Sequence, residues 1–327
     1  MSQDPKSLGG PERVERTLNN MERNIGYVPG FRRAHARGVA FEGTFTASAE
    51  AAALSTAEHL RGEAIAVVVR LSNGAGSPYS PDKSGPKRGA VLGMAVRFAL
   101  PSGDSAEFAA LSLTDFPARK PQDFTGLAGA QKKGLPAGLP NPLRIVAYLA
   151  THPHLLPGFK AIIAAKATKS FSTTRFNGLH AYVLVDADGT RRPFRYHWKP
   201  VAGEQVISRA DDKLLPPQYL VSEIKLRVEE EEPVAWDLIL QMGEPGDPTD
   251  DMTKHWPETR PQVTAGRLTI DRLHPDQELI DRSMFDPTKQ PAGIELSDDP
   301  VLHFRSESYI ESQKRRQAEC KPAITAE

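Results

Sequence analysis

The sequence predicts an α+β fold built on an eight-stranded antiparallel β-barrel, with helices and long loops around it. Three observations carry this reading: eight alternating or densely β-branched runs, turn chemistry between neighbouring runs, and helix-forming segments set among them. The runs cover residues 40–48, 63–73, 90–100, 106–113, 180–186, 191–201, 234–242 and 265–273. Two pairs read as hairpins, one turning at Pro101-Ser102-Gly103-Asp104 and the other at Ala187-Asp188-Gly189-Thr190, where glycine supplies the left-handed backbone of a tight turn. Hairpin-joined strands favour a closed barrel, which removes exposed edges and can enclose a cavity.

The helical segments follow from their own patterns. Between the fourth and fifth strands lie stretches at 121–133, 141–150 and 155–167, and residues 213–230 form another helix running into the acids at 229–232, a solvated face. Asp298-Asp299-Pro300 sets a capping acid before a first-turn proline, and basic residues gather near the far end, so a helix spans 297–320. No internal repeat or low-complexity tract occurs, and the 28 prolines fall mostly in connections. The expected organisation is one domain over 1–327, opening with an arm over 1–25.

Composition narrows the function. Forty-one basic and 41 acidic side chains cancel, so the whole-chain balance gives no sign of a nucleic-acid binder or a polybasic membrane-surface protein. The single cysteine, Cys320, excludes an internal disulfide and reads as an incidental thiol near the tail. The first twenty residues lack the apolar stretch of a signal peptide, and no run reaches the length of a membrane span. The expectation is a cytoplasmic protein with a small-molecule partner, and a homo-oligomer remains open.

Arg305, Tyr309 and Arg316 stand four and seven residues apart on the last helix. At about 100° per residue both steps return to nearly the same face. A tyrosine flanked by guanidinium groups can serve as a phenolate, a hard anionic ligand suited to ferric iron. Alone, Arg-x-x-x-Tyr on a helix is more commonly a surface stack or a packed tyrosine. Tyr309 gains meaning from the other end of the chain.

There stands Phe31-Arg32-Arg33-Ala34-His35-Ala36-Arg37-Gly38, followed by Phe41-Glu42-Gly43-Thr44-Phe45. Residues 67–77 place Arg70 and Ser72 two apart, on one face of a strand. Segments 93–103, 175–189, 194–200 and 284–309 complete the series. In this order, across residues 20–316, they resemble the haem catalases, and the short chain resembles the catalase-related peroxidases, or minimal catalases, which lack a C-terminal flavodoxin-like domain. The resemblance implies haem b held by iron ligand Tyr309, with His35 as acid–base residue on the opposite face. It implies Ser72 bonding the other nitrogen of His35, Arg32 and Arg70 facing the haem propionates, and Arg305 facing the Tyr309 oxygen. Arg316 matches a further basic position, Phe124 one against the haem, and His180 with Asn177 one near the proximal pocket.

Two departures from the family qualify the activity. The stretch that matches the catalase distal asparagine, residues 109–124, contains none, and Ser112 or Leu111 falls near its place. The family's paired phenylalanines become Phe116-Pro117. The resemblance therefore implies a peroxidase that reduces hydrogen peroxide or organic hydroperoxides with a small organic reductant, and only weak catalase turnover. Alternatives are a hydroperoxide-rearranging or peroxygenase-type enzyme, similar to allene oxide synthases, and a haem sensor without turnover. His152 and His154 suggest a metal pair, but no further ligands stand at zinc-like spacing, so a helix-start turn is expected. His255-Trp256-Pro257 and Trp198 read as packing.

Overall fold

The computed structural model describes residues 10–82, 91–135, 139–230, 232 and 234–320; residues 1–9 of the expected arm and Ala90 of the third run lie outside them. All eight expected strands form: β1 Gly38–Ala47, β2 Ala64–Asn73, β3 Leu92–Ala99, β4 Ser105–Leu111, β5 Phe176–Val185, β6 Arg191–Pro200, β7 Val234–Met242 and β8 Gln262–Leu273. Each pairs antiparallel with its neighbour in sequence, and β1 pairs with β8, so the sheet closes into a barrel. The join between β4 and β5 is thin, a single register pair of Leu111 with Asn177. A short ninth strand, β9 Ile294–Leu296, adds to β5. Both expected hairpin turns carry a left-handed glycine, Gly103 at φ 86° and Gly189 at φ 77°.

Inward-facing aromatic side chains fill the barrel. Phe45 meets Phe98 edge-on at 5.2 Å, and Phe98 stacks on Trp198 at 6.5 Å. Trp198 is therefore strand packing, fully buried. His59 lies in the same core without exposure, its ring 4.8 Å from Phe98 and 5.8 Å from Phe108. Neither of its nitrogens has a hydrogen-bond partner among the described residues.

Nine helices among the described residues surround the barrel: α1 Gly10–Asn24, α2 Ala49–Leu54, α3 Pro121–Ala130, α4 Pro142–Thr151, α5 Leu156–Ala164, α6 Arg209–Leu214, α7 Tyr219–Glu229, α8 Gln277–Arg282 and α9 Pro300–Glu319. Two differ from the sequence reading for identifiable reasons. The expected arm is mostly helix, because Val14, Leu18 and Met21 recur at helical spacing and pack on Ala128 of α3 and Phe304 of α9. The expected helix over 213–230 is two, because Pro216 and Pro217 supply no N–H and disfavour helix before them. The last helix forms as expected, with Asp299 accepting from the Val301 amide at 2.8 Å. No described helix is long and apolar enough to cross a membrane.

Burial pushes the His59 imidazole down to about 3. The folded protein then holds it neutral while the unfolded chain protonates it below about pH 6.5, so this contribution to stability is lost as pH falls through that window. Replacing His59 with Phe should therefore recover on the order of 2–3 kcal/mol at about pH 4.5 relative to pH 7. Equal acid destabilisation of variant and wild type in urea titrations at the two pH values would refute this.

Candidate active site

Between the barrel and helices α1, α3 and α9 lies a cavity of about 350 Å³. His35, Ser72, Arg32, Arg70, Arg305, Tyr309, Arg316 and Phe124 all line it, drawn from both ends of the sequence. The structure thus brings together eight of the nine expected site residues. The exception is His180, which is buried on β5 outside the lining.

His35 sits in the segment leading into β1, at φ 54°. It is the one non-glycine residue in the left-handed region among those described. A side-chain-bearing residue rarely adopts this backbone, and such strain concentrates where a side chain must be aimed. Flanking backbone bonds hold it there: the Ala36 amide donates to Ala75 at 3.0 Å, and the Asn73 amide to Arg37 at 3.3 Å. Its Nδ1 is 3.0 Å from Ser72 Oγ. Ser72 Oγ in turn donates to the Gly93 carbonyl at 3.4 Å, so it accepts from Nδ1–H, which leaves Nε2 as the free base. Gly93 pairs with Ser72 across the strands, and a Cβ there would come 2.7 Å from the His35 ring. Gly38 makes similar room for the Arg70 guanidinium, which lies 2.4 Å from where its Cβ would be.

Burial, and then the charges of Arg70, Arg305 and Arg32, push His35 down to about 3. It is a neutral imidazole at ordinary pH and lines the cavity.

On α9, Arg305 Nε and Nη2 donate to Tyr309 Oη at 3.1 and 2.9 Å, the i to i+4 contact expected from spacing. Burial alone would lower Arg305, but the Tyr309, Tyr182 and Tyr196 oxygens outweigh it and raise it. Behind this pair, His180 Nδ1 donates to Asp299 at 2.8 Å, with both side chains almost wholly buried. Burial lowers His180 and Asp299 opposes the shift. Asp299 therefore caps α9 and orients His180 at once.

The remaining arginines converge on α8. Arg32 Nη1 and Arg70 Nε donate to Asp281 at 3.3 and 3.0 Å, and Arg316 Nη1 donates to the Asp281 carbonyl at 2.6 Å. Arg32 also reaches the carbonyls of Ile280 and Ser283. Burial and the neighbouring cations Arg70 and Arg316 lower Arg32, and burial and Arg70 bring Arg316 down to about 10. Two of these guanidinium groups share the Asp281 carboxylate and the third takes the Asp281 carbonyl, so three positive charges face one negative charge and two are left to be met by something else in the cavity. Arg316 Nε and Ser308 Oγ are buried with no partner among the described residues. This excess suits a planar apolar group carrying two carboxylates.

The opposite wall is apolar. Ser112 Oγ accepts from the Leu92 amide at 2.9 Å and is committed to the backbone, while Leu111 and Leu113 line the cavity. Phe116 and Phe124 stack at 5.8 Å beside them. Sequence reasoning missed Asp281, Gly93 and the contact of the capping Asp299 with His180. The need for a counter-ion to three buried arginines is the one signal that could have pointed to Asp281.

Comparison with known proteins agrees with this geometry. A family model described as catalase matches residues 21–323. The chain is 38% identical over 295 residues to a catalase-related peroxidase of Mycolicibacterium paratuberculosis, covering 89% of this chain and 90% of that protein. It is 29% identical to another of the same description from Synechococcus elongatus, covering 92% and 88%. Catalase A of Saccharomyces cerevisiae superposes with a TM-score of 0.78 at 18% identity, covering 88% of this chain and 62% of that one. The chain thus spans about three-fifths of that solved catalase.

The Gly93 contact is testable. Replacing Gly93 with Ala should displace the His35 ring and slow reaction with peroxide by about 10²-fold, the usual cost of misplacing a reacting group by about 1 Å. Rapid-mixing kinetics on a variant with an unchanged melting temperature measures it; a rate equal to wild type would show that the ring tolerates the methyl group.

Proposed function

The chain belongs to the catalase family and is an oxidoreductase acting on peroxide; on that premise we propose a haem b peroxidase that favours organic donors over oxygen release. The observation that carries the reading is the pairing, across one cavity, of a neutral His35 fixed by Ser72 with a Tyr309 oxygen held by Arg305. Haem binding follows from the family, and the lining fits it. Tyr309 would ligate the iron, Arg32, Arg70 and Arg316 would meet the two propionates, and Phe124 would lie against the ring. Bound there, haem supplies the Lewis-acidic iron and the electrons that cleave the peroxide O–O bond.

The protein's own part is proton transfer and orientation. His35 Nε2 takes the proton from the nearer peroxide oxygen and returns it to the departing one, which leaves as water or alcohol. Ser72 keeps Nδ1 protonated, so the free lone pair stays on the cavity side. Arg305 donates to the Tyr309 oxygen through Nε and Nη2 and so fixes the atom that would ligate the iron. The apolar wall of Leu111, Leu113 and Phe116 offers no amide to a second hydrogen peroxide, which supports reduction by an organic donor and accommodates organic hydroperoxides.

His35→Gln should bind haem normally and lose about 10²- to 10⁴-fold in its rate with peroxide. In the wild type, lowering His35 to about 3 extends the working range. The rate is expected to hold from neutral pH to about pH 4 and fall only below it, since the neutral form is the base. An acid limb near 6.5 would contradict this, as would undiminished turnover without His35. Oxygen release from hydrogen peroxide, measured against oxidation of a phenolic dye, tests the preferred donor: fast oxygen evolution with no dye oxidation overturns the ranking.

A further inference from the structure

The neutral net charge conceals a segregation. No Asp or Glu occurs between Asp123 and Asp186, while Lys132, Arg144, Lys160, Lys166 and Lys169 all fall in that stretch and are exposed. Asp123 itself faces inward, accepting from the Arg119 and Lys120 amides at the start of α3.

The same stretch leaves large aliphatic side chains uncovered. Leu143 and Val146, one turn apart on α4, are 74% and 62% exposed, and Ile163 on α5 is 62% exposed. Leu156, Lys160 and Ile163 form one outward stripe of α5, at steps of four and three. One residue along, Ile162 turns inward and lines the cavity. The exposed sides of α4 and α5 thus carry aliphatic and basic residues, while the inward side of α5 contributes Ile162 to the cavity wall.

We propose that this face docks on an anionic lipid bilayer, with Leu143, Val146 and Ile163 entering the headgroup–acyl boundary and the lysines meeting lipid phosphates. Aliphatic anchors flanked by basic residues are the pattern of helices lying in a membrane interface, and lysine stems can bury while their heads stay in water. A second copy of this chain fits poorly, since a two-fold contact would set these cations against their own copies. A nucleic acid fits no better, because its bases are gripped by aromatic platforms and this face presents aliphatic side chains. Docking would bring the cavity wall at Ile162 next to the lipid, and it does not depend on what the cavity holds.

Sedimentation of the full chain with vesicles of phosphatidylcholine alone, or mixed with phosphatidylglycerol, tests this. The chain is expected to bind the mixed vesicles, less well as salt rises through the range where the Debye length falls below about 10 Å. Lys160→Glu with Lys166→Glu, and separately Val146→Ser with Ile163→Ser, should each weaken binding by at least about tenfold. All four positions are exposed, so melting temperature and reaction with hydrogen peroxide should stay as in the wild type. No binding, equal binding to both vesicle types, or variants that bind like wild type would overturn the proposal. So would a self-association that the Val146→Ser, Ile163→Ser variant abolishes, which would assign the face to a second copy.

Discussion

Four guanidinium groups, Arg32, Arg70, Arg305 and Arg316, open onto one largely apolar cavity, and much of the architecture answers their burial. A charge taken out of water without a partner is among the costliest features a fold can carry. Each arginine is met by a different device. Arg305 is met by the Tyr309 oxygen on its own helix. Arg32, Arg70 and Arg316 are met by the carboxylate of Asp281 and by carbonyls at the end of α8, where backbone dipoles add negative potential. Two charges are left over, and the two propionates that the family's cofactor brings are of the opposite sign and the same number.

This balance also holds the ends of the chain together. Arg32 and Arg33 precede His35, Arg70 lies on β2, and Arg316 lies near the end of α9, so the bracket on α8 ties the His35 segment, the barrel and the last helix to one point. A second tie lies at the tip of α9. Glu319 accepts from the Gly30 amide at 2.8 Å and from Arg33, itself almost wholly buried. The spacing between the segment of His35 and the helix of Tyr309 is therefore set at two places, by the Arg33–Glu319 ion pair and by the arginine hydrogen bonds gathered on α8. Gln277 anchors α8 in turn, donating to the Ala40 carbonyl and accepting from the Ala40 amide on β1.

What the sequence makes legible divides along this line. Eight strands, both hairpin glycines and the capped last helix are local patterns, readable from period and turn chemistry. Arg305 with Tyr309, and Arg70 with Ser72, are legible for the same reason, because helix and strand spacing alone puts them on one face. The union of His35 with Tyr309 is not a local pattern and came through family resemblance. Asp281 and Glu319 look like ordinary surface acids in sequence and Asp299 like a helix cap alone, and their partners lie far along the chain: 119 residues separate His180 from Asp299. Helix α1 is hidden because its apolar residues stand singly among arginines and glutamates, and the single helix expected over 213–230 runs through a proline pair that breaks it.

The same electrostatics explains why a neutral chain can present a one-signed face. Many of the acids are engaged by arginines elsewhere: Asp281 at the cavity, Glu22 and Glu319 around Arg33, Glu107 against Arg97, Asp251 against Arg119. Each of these compensates a buried or bridging cation, and none belongs to the stretch between Asp123 and Asp186. There the structural cations are few, because α4 and α5 pack through Leu149, Leu155 and Gly158 rather than through ion pairs. Acids placed where arginines need them leave Arg144, Lys160 and the lysines flanking α4 and α5 without carboxylates from their own stretch. A count over the whole chain averages these two populations to zero, which is why composition alone excludes a charged surface that the fold nonetheless builds.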